Sequence, residues 1–63
     1  MIRGNKRYQQ FARIMLRRRA QVRMERATAK TVDRCVQEVY EGDWIKFQYE
    51  ADRADREGFS SIL

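Results

Sequence analysis

The sequence predicts an all-α fold, a helical hairpin in which a long basic helix is followed by a shorter acidic one. The 63 residues contain no proline, so nothing in the chain blocks helix formation outright. Glycine occurs only at Gly4, Gly42 and Gly58, where helices are expected to begin, turn and end. Between these glycines, apolar residues recur at steps of three and four, which is the spacing of one helix face.

The first predicted helix runs from about residue 5 to residue 40. Its apolar positions define one face: Tyr8, Phe11, Met15, Val22, Ala29, Val32, Val36 and Val39. The stretch 27–31 is the weakest part of this run, because Thr28 or Thr31 can cap a new helix there. A continuous helix is the preferred interpretation, and a break within 27–31 is the alternative.

A tight turn is predicted at residues 41–43. Gly42 can take the left-handed conformation that ends one helix, and Asp43 can cap the next one. Residues 44–49 alternate as in a β-strand, but Trp44 and Phe47 begin a face with helical spacing. We therefore predict a second helix over about 44–57.

Gly58 is expected to end this second helix. The following residue, Phe59, is placed to contact Ala54 in a Schellman-type cap. Residues 58–63 then form a short tail, and the whole chain is a single domain.

Size limits both the stability and the chemistry of this chain. Sixty-three residues is close to the lower limit for a self-sufficient core, and Cys35 is the only cysteine in a chain without histidine. We therefore expect no cofactor, metal site or catalytic activity, and assembly as a homodimer or higher helical bundle. These residues are the candidates for core or interface: Tyr8, Phe11, Met15, Val22, Val36, Tyr40, Trp44, Phe47 and Phe59.

Charge is divided unevenly along the chain. Residues 1–34 carry 11 lysines and arginines against two carboxylates, whereas residues 35–63 carry three against seven. The basic half can bind a polyanion, or the acidic half can fold back and neutralise it. On a hairpin the acidic helix is too short to cover residues 6–19, so Lys6 to about Arg23 is expected to stay uncovered. An acidic second helix also argues against a helix-turn-helix DNA reader.

Arginines are concentrated in the first predicted helix. The candidate polyanion-binding residues are Arg13, Arg17, Arg18, Arg19, Arg23 and Arg26. Several of them lie four residues apart, so like charges repel one another on one helix face. A bound polyanion, or a carboxylate-rich neighbour, would relieve this repulsion.

Residues 17–26, with the sequence RRRAQVRMER, resemble the arginine-rich RNA-binding helices of phage antiterminator proteins. This resemblance implies a helix that lies in an RNA groove. In size, helical pattern and charge asymmetry, the chain resembles small accessory proteins from early regions of lambdoid phages. That second resemblance implies a regulatory protein acting in the host cytoplasm.

The sequence thus predicts a small, non-enzymatic regulatory or accessory protein that acts by binding a macromolecule. A host protein, bound through the helical surfaces, is the leading candidate partner, and nucleic acid bound through the arginine-rich helix is the alternative. No apolar leader or membrane span is visible, which predicts a cytoplasmic protein.

Overall fold

The computed structural model describes residues 2–20, 26–60 and 62. It contains α1 at Lys6–Ala20, α2 at Ala29–Val39 and α3 at Trp44–Arg56. No strand occurs among the described residues, including the stretch 44–49 that alternates like one. The all-α prediction is confirmed for this part of the chain.

The prediction of one continuous helix from residue 5 to residue 40 is wrong. Residues 26–28 are not helical, and Thr28 has the extended backbone of a cap, with φ −132° and ψ 175°. The amide of Thr31 donates to Thr28 Oγ1 at 3.4 Å, and the amide of Thr28 donates to Thr31 Oγ1 at 3.1 Å. These reciprocal bonds satisfy amides that the start of a helix leaves free, so α2 begins here. The alternative of a break within 27–31 agrees with the non-helical residues 27 and 28 and with the cap at Thr28, and the break also includes Arg26.

Side chains also set the other helix starts. Asn5 Oδ1 accepts hydrogen bonds from the amides of Arg7 at 2.8 Å and Tyr8 at 3.1 Å, ahead of α1. Asp43 Oδ1 accepts from the amide of Lys46 at 2.9 Å, as expected for the cap of α3. Gly42 adopts φ +85° in the turn before it.

The end of α3 is a Schellman cap. Gly58 has φ +63°, its amide donates to the Asp55 carbonyl at 3.0 Å, and the amide of Phe59 donates to the Ala54 carbonyl at 2.7 Å. Phe59 is buried by this arrangement. The short C-terminal segment is thereby tied to the core.

Helix packing differs from the predicted hairpin. Both α2 and α3 pack mainly against α1, rather than along one another. The break before Thr28 allows α1 to turn back onto the other two helices, which a continuous helix cannot do. Assembly with a second copy stays a prediction.

Phe47 lies at the centre of the core and is completely buried. Its ring centroid is 5.8 Å from Tyr8, 5.7 Å from Phe11 and 5.8 Å from Tyr40, each in an edge-to-face arrangement. A second, aliphatic part of the core is also fully buried and consists of Leu16, Val32, Cys35 and Val36. The two parts join α1, α2 and α3 in a single core.

Candidate polyanion-binding face of helix α1

Helix α1 contains only cationic charge. No acidic residue lies within Lys6–Ala20, and Arg17, Arg18 and Arg19 occupy its last turn. The free carbonyl groups at the end of a helix favour positive charge, so this placement is locally stabilising. The helix therefore tolerates a cluster of arginines that would otherwise repel one another.

One side of α1 is buried and the other carries polar groups. Phe11, Ala12 and Leu16 have 2% or less of their surface exposed and face the core. Steps of four, three and four residues place a second set along the opposite side, which we call the α1 outer face: Lys6, Gln10, Arg13 and Arg17. Lys6 and Arg17 are exposed, whereas Gln10 and Arg13 are half-buried.

Cations at the edges of α1 are paired with carboxylates of the other helices. Arg7 forms an ion pair with Asp55 of α3 at 2.5 Å, and Arg19 forms one with Glu38 of α2 at 3.6 Å. The prediction that acidic residues after the turn cannot reach residues 6–19 is thus wrong. It assumed a hairpin on a continuous helix, whereas the folded-back α1 lies against both acidic partners.

Carboxylates of α3 are engaged inside the molecule. Besides the pair of Asp55 with Arg7, Glu50 accepts a hydrogen bond from the Tyr40 hydroxyl at 2.7 Å. Burial, followed by this bond to Glu50, raises the pKa of Tyr40 well above its usual value. Burial and a hydrogen bond to Asp52 likewise raise the pKa of Tyr8. Negative charge on α3 therefore serves internal contacts.

The remaining cations of α1 have no such partner. Within the described residues, no carboxylate forms an ion pair with Lys6, Arg13, Arg17 or Arg18. The Nε atom of Arg13 is also buried without a hydrogen-bond acceptor. The structure thus separates the cations of α1 into two that pair with carboxylates, Arg7 and Arg19, and four that form no such pair within the described residues.

One of the predicted polyanion-binding arginines, Arg26, is described and lies outside α1. Arg26 is exposed just before α2, and its backbone carbonyl accepts a hydrogen bond from the Thr31 hydroxyl. Arg23 lies outside the described residues, as does Val22 from the predicted core set. The structure therefore brings together Arg13, Arg17, Arg18 and Arg19 on one helix.

The other candidate core or interface residues are taken up by the fold. Five of them are buried, namely Phe11, Val36, Tyr40, Phe47 and Phe59. The remaining three are partly buried and pack against the core, namely Tyr8, Met15 and Trp44. The guanidinium of Arg3 also lies 5.4 Å from the ring centroid of Trp44. These aromatic residues are structural.

Two apolar residues on the surface were not among the predicted site residues. Ile45 has 80% of its surface exposed and Tyr49 has 63%, and they lie one turn apart on α3. Helical spacing predicts their exposure, because Ile45 and Tyr49 fall opposite Phe47 and Ala51 on a helix of 3.6 residues per turn. The strand-like alternation of residues 44–49 obscured it.

Few features of the described residues suggest reaction chemistry. Cys35 is fully buried, and burial followed by the charge of Glu38 raises the pKa of its thiol to about 12. No group of three or more metal-ligating side chains converges among the described residues.

An open groove of about 400 Å³ between α1 and α3 is lined by Phe11, Met15, Glu50, Arg53, Ala54, Glu57 and Ile62. None of the described helices is both long and apolar enough to cross a bilayer.

Comparison with known proteins gave no match: no family model fits the sequence, and no curated protein and no solved structure is similar to it. The resemblances to arginine-rich RNA-binding helices and to small phage accessory proteins stay predictions.

Proposed function

We propose that this chain is a non-enzymatic protein that binds nucleic acid through the α1 outer face and through Arg18 in the last turn of α1. One observation carries the proposal. The cations on this part of α1 have no ion-pair partner among the described residues, whereas the carboxylates Glu50 and Asp55 of α3 are held in internal contacts. Within the described residues, one side of the folded molecule thus carries cations without ion-pair partners.

Phosphates suit this surface physically. Arg13 and Arg17 lie four residues apart on α1, and like charges at that spacing destabilise a helix by a few tenths of a kcal/mol. A bound phosphate removes that repulsion, and the planar guanidinium can donate two hydrogen bonds to it. Because the carboxylates are concentrated on the other helices, the electrostatic field also orients the protein as it approaches a polyanion.

This proposal reverses the order of preference that the sequence suggested. The protein-binding hypothesis placed the contact on the helical surfaces, and Trp44 and Phe47 were among the candidate core or interface residues. Phe47 is fully buried, and Trp44 packs against the core beneath Arg3. Arg17, Arg18 and Arg19 of α1, in contrast, are exposed.

The test is a titration of labelled nucleic acids with the double variant Arg17→Gln/Arg18→Gln, followed by fluorescence anisotropy at low salt. Glutamine has nearly the helix propensity of arginine, so α1 should persist. The matched control is Arg53→Gln/Arg56→Gln, which removes the same charge from the last turn of α3. We expect the α1 variant to weaken binding by about tenfold or more, and the control to change it little.

Two results would contradict the proposal. The first is an absence of binding to single-stranded and double-stranded DNA and RNA at low salt. The second is an equal loss in both double variants, which would show that net charge alone is responsible and that the α1 outer face has no special part.

A second candidate function is binding of a protein partner on the outer side of α3. Ile45 and Tyr49 support it, because two large apolar side chains one turn apart are exposed there. The partner would supply an apolar surface of its own, of the kind that covers a helix face. A regulatory role remains part of both candidate functions as a prediction.

The double variant Ile45→Ser/Tyr49→Ser tests this second candidate. In affinity purification from nuclease-treated extract, a specific partner should be retained by the native chain and lost by this variant. The partner should still bind Arg17→Gln/Arg18→Gln. If both variants lose the partner, the outer side of α3 is not a contact surface separate from the arginines of α1.

A further inference from the structure

Exposed aromatic rings distinguish the sides of this molecule. Proteins that hold single-stranded nucleic acid usually stack bases on such rings, beside a cationic groove. Tyr8 and Phe11, the aromatic residues of α1, both pack edge-to-face against Phe47 in the core. Among the described aromatic residues only Tyr49 is strongly exposed, and it lies on α3. The α1 outer face therefore has cations and one amide, but no ring for stacking.

The helix backbone fixes the spacing of the positions from which the cations of the α1 outer face extend. Phe11, Ala12 and Leu16 anchor the opposite side of α1 in the core with 2% or less of their surface exposed. With a rise of 1.5 Å per residue, Lys6 and Arg17 lie about 16 Å apart along the helix axis. A duplex also presents its phosphates at fixed spacing, about one charge per 1.7 Å of axis. A flexible single strand must instead be ordered on binding, at a cost in conformational entropy.

The dimensions of α1 are compatible with a duplex as well. An α-helix with its side chains is about 10–12 Å wide, close to the width of the major groove of B-DNA. Gln10 lies between Lys6 and Arg13 on the α1 outer face. The contacts of Glu50 and Asp55 lie on α3, and among the described residues no carboxylate forms an ion pair with the cations of this face.

From these observations we infer that the ligand is double-stranded nucleic acid, bound through its phosphates by Lys6, Arg13, Arg17 and Arg18. This inference rests on the proposed function and names the class of nucleic acid. DNA duplexes and RNA duplexes both have a pair of phosphate backbones, so either of them could be this ligand.

The experiment compares 20-nucleotide DNA and RNA of one sequence, each single-stranded and as a duplex, in anisotropy titrations of the full chain over a series of salt concentrations. We expect at least one duplex to bind tenfold or more tightly than its own single strand. Four phosphate contacts on B-DNA predict a slope of about −3.6 for log K against log salt. Arg17→Gln should make this slope less steep by about 0.9, and the matched Arg56→Gln should leave it unchanged.

The outcomes separate this inference from the proposed function. Equal or tighter binding of the single strands overturns the duplex inference and leaves nucleic-acid binding intact. Duplex binding without salt dependence overturns the phosphate contacts. An absence of binding in all four arms overturns the proposed function itself. Circular dichroism of each variant checks the fold, and Lys6→Gln provides a second variant at the other end of the α1 outer face.

Discussion

Tyr40 links the core to the charge on α3. Its ring is stacked on Phe11 with centroids 6.5 Å apart, and its hydroxyl donates to Glu50 at 2.7 Å. Tyr40→Phe keeps the ring and leaves a half-buried carboxylate without this donor. A hydrogen bond to a charged group contributes roughly 1–3 kcal/mol, so we expect the free energy of unfolding at pH 7 to fall by that amount. Urea denaturation followed by circular dichroism measures it.

Tyr40 is also one of two buried residues that make the free energy of unfolding depend on pH in the alkaline range. Burial raises the pKa of Tyr40, and it raises that of Cys35 from 9.0 to about 12. These groups lose their protons at a lower pH in the unfolded chain than in the folded chain. Their contribution to the free energy of unfolding is therefore fully present below pH 9 and decreases as the pH rises towards 12. We expect the urea midpoint to decrease from pH 8 to pH 10.5, and to decrease less in Tyr40→Phe. A midpoint that stays constant would show that neither group is protected in the folded chain.

At the scale of the element, the start of α2 decides how the chain folds. The cap of Thr28 is shared with Thr31, and their two side chains satisfy both backbone amides. Replacing Thr28 by alanine removes a cap contact that is typically worth about 1 kcal/mol. We expect Thr28→Ala to lower the free energy of unfolding by about this amount, whereas Thr28→Asp, which retains a capping oxygen, should lose little. If both variants are equally destabilised, the capping oxygen is not the cause.

Different elements were predictable to different degrees. The two ends of α3 follow from local signals, because Asp43 supplies a capping oxygen and Gly58 tolerates a positive φ. The break before α2 has no comparable signal, since Thr28 is compatible with either interpretation of the sequence. Val32 and Val36 are buried together with Leu16 of α1, and this burial stabilises the chain in which the helix is interrupted. These contacts join residues that are distant in sequence, so a local sequence pattern does not reveal them.

At the scale of the whole molecule, the helices cover one another's apolar faces within a single chain. This weakens the reason for expecting an oligomer, because the core already includes Phe47, Leu16 and Val36 at full burial. We therefore expect sedimentation equilibrium at micromolar concentration to give the monomer mass of 7.6 kDa. A mass twice as large would restore the homodimer prediction.

The candidate site was predictable as a set of residue types and not as a surface. The density of arginines is a property of the sequence, and several of them lie on α1. Which of them have ion-pair partners depends on contacts between distant residues, such as Arg7 with Asp55 and Arg3 with Asp33. The exposure of Tyr49 and the burial of Phe47 likewise required the packing of α3 on α1.

By itself the sequence determined the helical character of the chain, the ends of α3 and the excess of positive charge in its first half. These properties are local, since they depend on residue spacing, capping side chains and composition. Only the tertiary structure decided how that charge is distributed. Because α1 folds back at the break, Asp55 reaches Arg7 and Glu38 reaches Arg19, and the cations opposite the core, Lys6, Arg13 and Arg17, have no ion pair within the described residues.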